Sequence, residues 1–324
     1  MKQPLEQSLF QRKQHGFLLT PDPALIQLVQ RLWSPDVLEF TIFKHGGQAI
    51  EHLFNAPPDV LVVDTRLSDI SGPEVTSLVK SENVYRQLPV VMCLDSLDDE
   101  QEWDWNAVEV DDFLVRPFNP AEVRHRLNLT LCRAMRAFDA NPLSKLPGNS
   151  SILQRIQELI EQGDDFALVY CDLDYFKSYN DAYGFSRGDE ILMMTARLIV
   201  NTIRSYRDPQ TFVGHVGGDD FVFIMSPEKV EGACERILAA FDDIVPHFYD
   251  SADRRRGNIT SVDREGNTRV FPLMALSLAV VINRNGRIRH YGEVSSIAME
   301  LKKKAKKNPK SCYVIDQRKT SSAR

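Results

Sequence analysis

FALVYCDLD (residues 166–174) and, further along, FVGHVGGDDFVFIM (residues 212–225) decide how the second half of this chain folds. Residues 166–171 form a short apolar run that reads as a buried strand ending at Asp172. Residues 212–216 and 221–225 read as two more strands, with Gly217-Gly218-Asp219-Asp220 as a tight hairpin turn between them. Strand residues alternate faces, so Asp172 and Asp174 can share a side while Leu173 offers its backbone carbonyl. Carboxylates with a carbonyl make the oxygen-rich set that Mg²⁺ prefers, completed by water and substrate phosphates. The twin glycines remove side chains where a phosphate must come close to the backbone. An isolated GGDD is usually a surface turn and an isolated DxD a solvated loop. Together in one α/β domain they make a candidate site.

Around these strands the chain alternates helix and strand. Ile152, Ile156, Leu159 and Ile160 predict a helix over 151–162, and long helices are expected at 188–203 and 230–241. Residues 251–267 are polar, with turn signals, and predict a loop or exposed hairpin. A strand at 273–282, a lysine-rich helix at 294–307 and a short strand at 312–315 follow.

The first 120 residues repeat short apolar strands (17–19, 59–63, 89–94, 111–115) between helices expected at 23–32 and from Gly72. That order implies a parallel sheet covered by helices on both faces. Asn119-Pro120 is a helix start, with Asn as cap and Pro in the first turn. An apolar stripe from Val123 through Leu127, Leu131, Cys132, Met135 and Phe138 carries that helix towards Asp139, as a packing face or a dimerising stalk.

With 324 residues, the chain is expected to form two domains. A net charge of -6 and a pI near 5.7 argue against a nucleic-acid partner. The five cysteines lack CxxC spacing and read as reduced thiols. The expectation is a cytoplasmic protein with no membrane association, since no apolar run is long enough for a leader or a span.

The run CDLDYFKSYNDAYGFSRGDE (171–190), GGDDF (217–221) and NPLSKLPGN (141–149) together resemble the GGDEF catalytic domain of diguanylate cyclases, over about 139–316. The resemblance implies an antiparallel-centred, nucleotidyl-cyclase-like α/β fold. It implies Mg²⁺ or Mn²⁺, two per site, held by Asp172, the Leu173 carbonyl and Asp219, with Asp219 and Asp220 catalytic. Asn180 and Asp189 would read the guanine edge of GTP. Phe176, Lys177, Gly217 and Gly218 would shape the phosphate end, and Lys303 and Lys307 would meet the terminal phosphates. A homodimer would join two GTP into cyclic di-GMP and release pyrophosphate. A catalytically inactive GTP-binding or protein-binding scaffold is the alternative.

Several positions depart from the family pattern. Asp220 stands where Glu is usual, roughly 1.5 Å shorter in reach. Phe185 replaces a His, and His215-Val216 replaces Arg-Tyr. The positions of the family's inhibitory RxxD hold Asp208 and Thr211, so no such product site is expected. Residues 16–137 resemble response-regulator receivers of flavodoxin-like, doubly wound fold. Asp64 matches the phosphoacceptor and Gly72 a later turn glycine. Thr20-Pro21 stands in place of the acidic pair, with Asp22 next; Leu94 replaces a hydroxyl residue and Arg116 the Lys before proline. The expectation is a pseudo-receiver for dimerisation or a signalling partner. The expected limits are an extension at 1–15, the receiver-like domain with its connecting helix at 16–138, the GGDEF-type domain at 139–316 and a tail at 317–324.

Overall fold

The computed structural model describes residues 12–96, 104, 108–262 and 268–318. Its contacts divide the chain into two units, Met1–Phe138 and Asp139–Arg324.

In the first unit, β1 (Gln14–Leu19), β2 (Leu38–Phe43), β3 (Val60–Asp64), β4 (Val90–Leu94) and β5 (Asp112–Val115) form one sheet in the order β2-β1-β3-β4-β5. Every pairing is parallel. Helices α1 (Pro23–Leu32), α2 (Gly46–Asn55), α3 (Gly72–Ser81) and α4 (Pro120–Asp139) cover it. The alternation of strand side chains explains why both faces need cover. Val60, Val62, Val91 and Cys93 pack with Leu25 and Val29 of α1 and with Val123, Leu127 and Leu131 of α4. Leu61, Val63, Val90 and Met92 pack with Ala49 and Leu53 of α2 and with Val75 and Val79 of α3.

Helix starts are capped as their residues suggest. Asp22 accepts from Ala24 N, Ser71 and Glu74 form a capping box, and Asn119 accepts from Ala121 N. β2 and α2 are additional to the elements expected from sequence; LEFTIF is an edge strand, buried only at its two ends, so its pattern is weak. β1 begins at Gln14, inside the stretch expected to precede the domain, because Gln14 N bonds Val37 O and His15 N bonds Asp59.

In the second unit the strands are β6 (Phe166–Asp174), β7 (Phe212–Gly217), β8 (Asp220–Met225), β11 (Ala275–Asn283) and β12 (Cys312–Ile315), after a separate hairpin of β9 (Asn258–Val262) and β10 (Thr268–Pro272). The main sheet runs β12-β11-β6-β8-β7, parallel at β11–β12 and antiparallel elsewhere. The helices are α5 (Asn149–Gln162), α6 (Phe176–Tyr183), α7 (Phe185–Ser205), α8 (Val230–Ile244), α9 (Ser251–Arg256) and α10 (Tyr291–Ala305).

Along β6, Ala167, Val169, Cys171 and Leu173 face α7 and α8. Phe166 and Leu168 face the other way, with Val222 and Ile224 of β8, towards α5 and α10. β6 extends past its expected end to Asp174, and α6 is an added helix that the reading did not foresee. The expected polar loop is a short helix and a hairpin whose Ile259 is buried in the core; residues 263–267 of that expectation lie outside the described residues. So do 1–11 of the expected extension and 319–324 of the expected tail. No helix among the described residues is long and apolar enough to cross a membrane.

Candidate functional site

The period of the strands brings the carboxylates together. Asp172 continues the face of Phe166 and Leu168 on β6, and Asp220 that of Val222 and Ile224 on β8. The two aspartates are register partners across the strands. The β7–β8 turn brings Asp219 to them: Gly217 has φ +142° and Gly218 φ +57°, which glycine adopts without the steric penalty of a side chain. Asp172, Asp219 and Asp220 each offer an oxygen within 4.8 Å of the others. Asp174, further along the same strand, is buried and accepts a hydrogen bond from Ser277.

α10 packs on this face through Val294, Ala298 and Leu301. Its last turn and the C-cap residue after it therefore carry two ammonium groups over the ends of β6 and β8. Lys302 Nζ lies 2.5 Å from Asp172 Oδ2 and 2.5 Å from Asp220 Oδ1. Lys306 Nζ lies 2.6 Å from Asp172 Oδ1 and 3.8 Å from Asp174 Oδ1. Lys303 and Lys307, the residues expected at the phosphates, are exposed and are not brought to the carboxylates. Each lies one residue, about 100°, round the helix from the lysine that arrives there. A run of six near-identical residues, KKKAKK, hides that register. The burial of Leu301 and Ala305 reveals it.

The charges are arranged unequally. Burial opposes ionisation of Asp172, but the hydrogen bonds of Lys302 and Lys306 overcome it and hold the carboxyl below its usual range. Burial raises Asp220, with Lys302 opposing and the Asp172 charge adding. Burial and then the Asp172 charge raise Asp219. Lys302 is raised because its two carboxylate partners outweigh its own burial. Three converging hard-oxygen donors suit a divalent cation, whose charge would offset the burial and mutual repulsion that raise Asp219 and Asp220.

The residues expected at the base lie around the α6–α7 corner. Asn180 Oδ1 is buried without a hydrogen-bond partner among the described residues. A Cβ on Gly188 would stand 1.9 Å from that atom, so the amide occupies the space that this glycine leaves. Asp189, the next residue, is exposed, as is Lys177, while Phe176 is buried in the core at the start of α6. Leu173 also buries its side chain in the core, leaving only its backbone to face a ligand.

The opening motif has a structural task. The Asp139 carboxylate accepts from the amides of Gly148, Ser150 and Ser151, and Asn141 accepts from those of Leu143 and Ser144. His215 N then donates to Pro147 O. The His215 ring is within hydrogen-bonding distance of Ser144 Oγ (2.9 Å) and Gly218 O (3.0 Å) and stacks on Phe221. His215 is thus the strut under the glycine turn, and burial lowers its pKa. Sequence reading noted it only as a departure.

In the first unit Asp64 ends β3, fully buried. Arg116 Nη2 donates to Asp64 Oδ2 at 2.5 Å and Thr20 Oγ1 donates to the same atom at 2.7 Å. The same guanidinium meets Asp95 at 3.0 Å and Asp22 at 3.5 Å.

Residues 139–255 match the family described as "Diguanylate cyclase, GGDEF domain", and residues 20–128 the "Response regulator receiver domain". Response regulator PleD of Caulobacter vibrioides is 26% identical over 186 residues, 52% of this chain and 40% of that protein. The bifunctional diguanylate cyclase/cyclic di-GMP phosphodiesterase MucR of Pseudomonas aeruginosa is 38% identical over 91 residues, 27% of this chain and 13% of that protein. The chain therefore spans less than half the length of these relatives. Among solved structures, the coiled coil and GGDEF domain of DgcB from Caulobacter crescentus, in complex with c-di-GMP, is 20% identical with a TM-score of 0.44, covering 60% of this chain and 94% of that one. The diguanylate cyclase SiaD of Pseudomonas aeruginosa, in complex with its activator SiaC, is 21% identical with a TM-score of 0.42, covering 60% of this chain and 70% of that one. Residues 139–255 thus form a GGDEF domain, and residues 20–128 ahead of it a response regulator receiver domain.

Proposed function

We propose that this chain is a diguanylate cyclase that condenses two GTP into cyclic di-GMP as a dimer with facing sites. The observation that carries the reading is the convergence of Asp172, Asp219 and Asp220 beneath Lys302. In each half-reaction a ribose 3′-oxygen forms a bond to the α-phosphorus of the other GTP, the bond to pyrophosphate breaks, and pyrophosphate leaves. A bound Mg²⁺ or Mn²⁺ supplies acidification of the 3′-hydroxyl and charge for the phosphates. Asp172, the Leu173 carbonyl and Asp219 would hold it.

The remaining work falls to the protein's own groups. Asp220, beside Asp172, takes up the hydroxyl proton or orients the hydroxyl. Lys302 and Lys306, already at the cluster, neutralise the phosphates in the place first assigned to Lys303 and Lys307. Asn180 and Asp189 select guanine, while Lys177, Gly217 and Gly218 border the triphosphate. The receiver domain transmits by protein contact rather than by phosphorylation of Asp64, since Arg116 already neutralises that carboxylate.

A second reading, an inactive GTP-binding scaffold, draws on one observation: the shortened Asp220 is tied to Lys302 at 2.5 Å. Incubation of the purified chain with GTP and Mg²⁺ or Mn²⁺, with products separated by chromatography, decides between them. Cyclic di-GMP from the wild type and none from Asp219→Ala supports the cyclase. Metal-dependent GTP binding without product overturns it in favour of the scaffold.

A further inference from the structure

The segment between α8 and β11, which includes the expected loop or exposed hairpin at 251–267, is fastened to the helices that carry Asn180 and Asp189. Arg187, in the first turn of α7, donates from Nη2 to Phe248 O at 2.6 Å and from Nη1 to Asp250 Oδ1 at 3.1 Å. Its guanidinium lies 4.2 Å from the ring centroid of Tyr183, the last residue of α6. Tyr183 donates its hydroxyl to Asp253 and accepts from Asp250 N. One turn back, Tyr179 donates to Phe248 O at 2.9 Å and stacks on Tyr183. Tyr249 closes the group edge-on to both rings, and its own hydroxyl accepts from Met274 N. Burial and the Asp253 carboxylate push the Tyr183 phenol up to about 12, so it remains a donor across the working pH range.

This arrangement constrains one degree of freedom. Phe176, Tyr179 and Tyr183 lie along one side of α6, and Asn180 follows Tyr179 directly. Rotation of α6 about its axis therefore moves the anchored rings and the Asn180 amide together. A side-chain atom about 5–6 Å from the axis travels about 1 Å for a rotation of about 10°. A displacement of about 1 Å is enough to spoil hydrogen bonding to a base edge. Arg187 stands two residues before Asp189 and holds the other arm of the same corner.

We propose that Arg187, Tyr183 and Asp253 are positioning residues that clamp segment 248–257 against the α6–α7 corner and so set discrimination of guanine from adenine nucleotides. The inference rests on the reading of Asn180 and Asp189 as the guanine-binding pair. The clamp touches no substrate; it acts through the rotation of α6 and the first turn of α7.

The test measures equilibrium binding of GTP and of ATP, each with Mg²⁺, to the full-length wild type and to the variants Arg187→Ala, Arg187→Lys, Tyr183→Phe and Asp253→Ala, with thermal melting of each. The expected result is a loss of GTP affinity of about tenfold in Arg187→Ala and Tyr183→Phe, with ATP affinity within about twofold of wild type. Arg187→Lys is expected to restore part of the GTP-over-ATP ratio. A merely structural role would weaken both nucleotides together in proportion to lost folded protein. An unchanged ratio in Arg187→Ala and Tyr183→Phe, with native melting, overturns the proposal. A wild type that binds GTP no better than ATP overturns the guanine reading itself, and the clamp with it.

Discussion

Lys302 Nζ sits equidistant, at 2.5 Å, from Asp172 Oδ2 and Asp220 Oδ1, bridging two strands from a helix that packs on their shared face. Lys303 is adjacent in sequence but points to solvent. If Lys302 neutralises substrate phosphate, Lys302→Ala removes a charged donor from a partly buried site. Turnover is expected to fall on the order of 100-fold, as when one donor to a developing charge is lost. Lys303→Ala is expected to stay within about threefold, in line with an exposed charge. Initial rates of cyclic di-GMP formation on the two variants check the register directly. A larger loss from Lys303→Ala would return the phosphate role to the residue first expected.

Gly188 and Asn180 are fitted to each other closely. An added Cβ at Gly188 would meet Asn180 Oδ1 at 1.9 Å, inside any real contact distance. Gly188→Ala must therefore push the amide out of position. Loss of one well-made hydrogen bond to the base, about 1–3 kcal/mol, predicts GTP binding weaker by about tenfold or more. Calorimetric titration with GTP, beside a melting curve that shows a retained fold, measures it. Native GTP affinity in the variant would show that Asn180 does not read the base.

The register of Asp220 opposite Asp172 allows a longer side chain to reach the same space by a small strand adjustment. Asp220→Glu is expected to stay within about tenfold of wild-type turnover, short of the roughly 100-fold that about 1 Å of misplacement brings. Asp219→Ala is expected to abolish turnover, because it removes one of the three converging carboxylates. A severe loss in Asp220→Glu would mean that the β7–β8 turn has adapted to the shorter residue.

Much of this was readable from residues alone, for identifiable reasons. Strands β3 and β4 and residues 166–171 of β6 are short, largely apolar runs buried along nearly their whole length, and such runs announce themselves. The capping groups Asp22, Ser71 and Asn119 mark helix starts chemically. What was hidden depended on tertiary contacts. β2 is an edge strand with a mixed pattern, and α6 buries Phe176 and Tyr179 in a face too short to show a period. The lysine register was set by Leu301 and Ala305 packing on the sheet, which no pattern within KKKAKK encodes. Polar residues 250–256 gave no hint that their carboxylates would meet Tyr183 and Arg187 from another helix.

Asp69 provides a test of pH dependence in the first unit. Its carboxylate accepts from the amides of Gly47 and Gly46 at the start of α2, and these bonds lower its pKa to about 2 from 3.8. A carboxylate depressed on folding lends stability that is complete above its unfolded pKa. That contribution fades as pH falls from about 4 through about 2. Hydrogen exchange at Gly46 and Gly47 in the full chain should therefore be slower in wild type than in Asp69→Ala above about pH 5. The difference should narrow as the pH approaches 2, after correction for intrinsic exchange rates. A difference independent of pH would assign the protection to packing instead.

Asp64 and Arg116 decide whether the first unit answers to phosphorylation. Asp64 is fully buried and its Oδ2 already receives Arg116 and Thr20, at 2.5 and 2.7 Å. A phosphoryl group on that oxygen must displace both, and a cation to neutralise it must compete with a guanidinium that also engages Asp22 and Asp95. Wild-type protein exposed to a small-molecule phosphodonor with Mg²⁺ is therefore expected to gain no phosphate at Asp64 by intact mass. Among the described residues, Arg116→Ala leaves a buried carboxylate facing Thr20 and the Arg66 amide, with the Arg66 side chain 3.9 Å away. Breaking a buried pair in this way costs about 3 kcal/mol, to be read as a lower urea midpoint for the full chain. If that variant binds Mg²⁺ or accepts phosphate while the wild type does neither, Arg116 is the group that closes the site. Stoichiometric phosphorylation of the wild type, lost in Asp64→Asn, would instead make this a working receiver and Arg116 a side chain that swings aside.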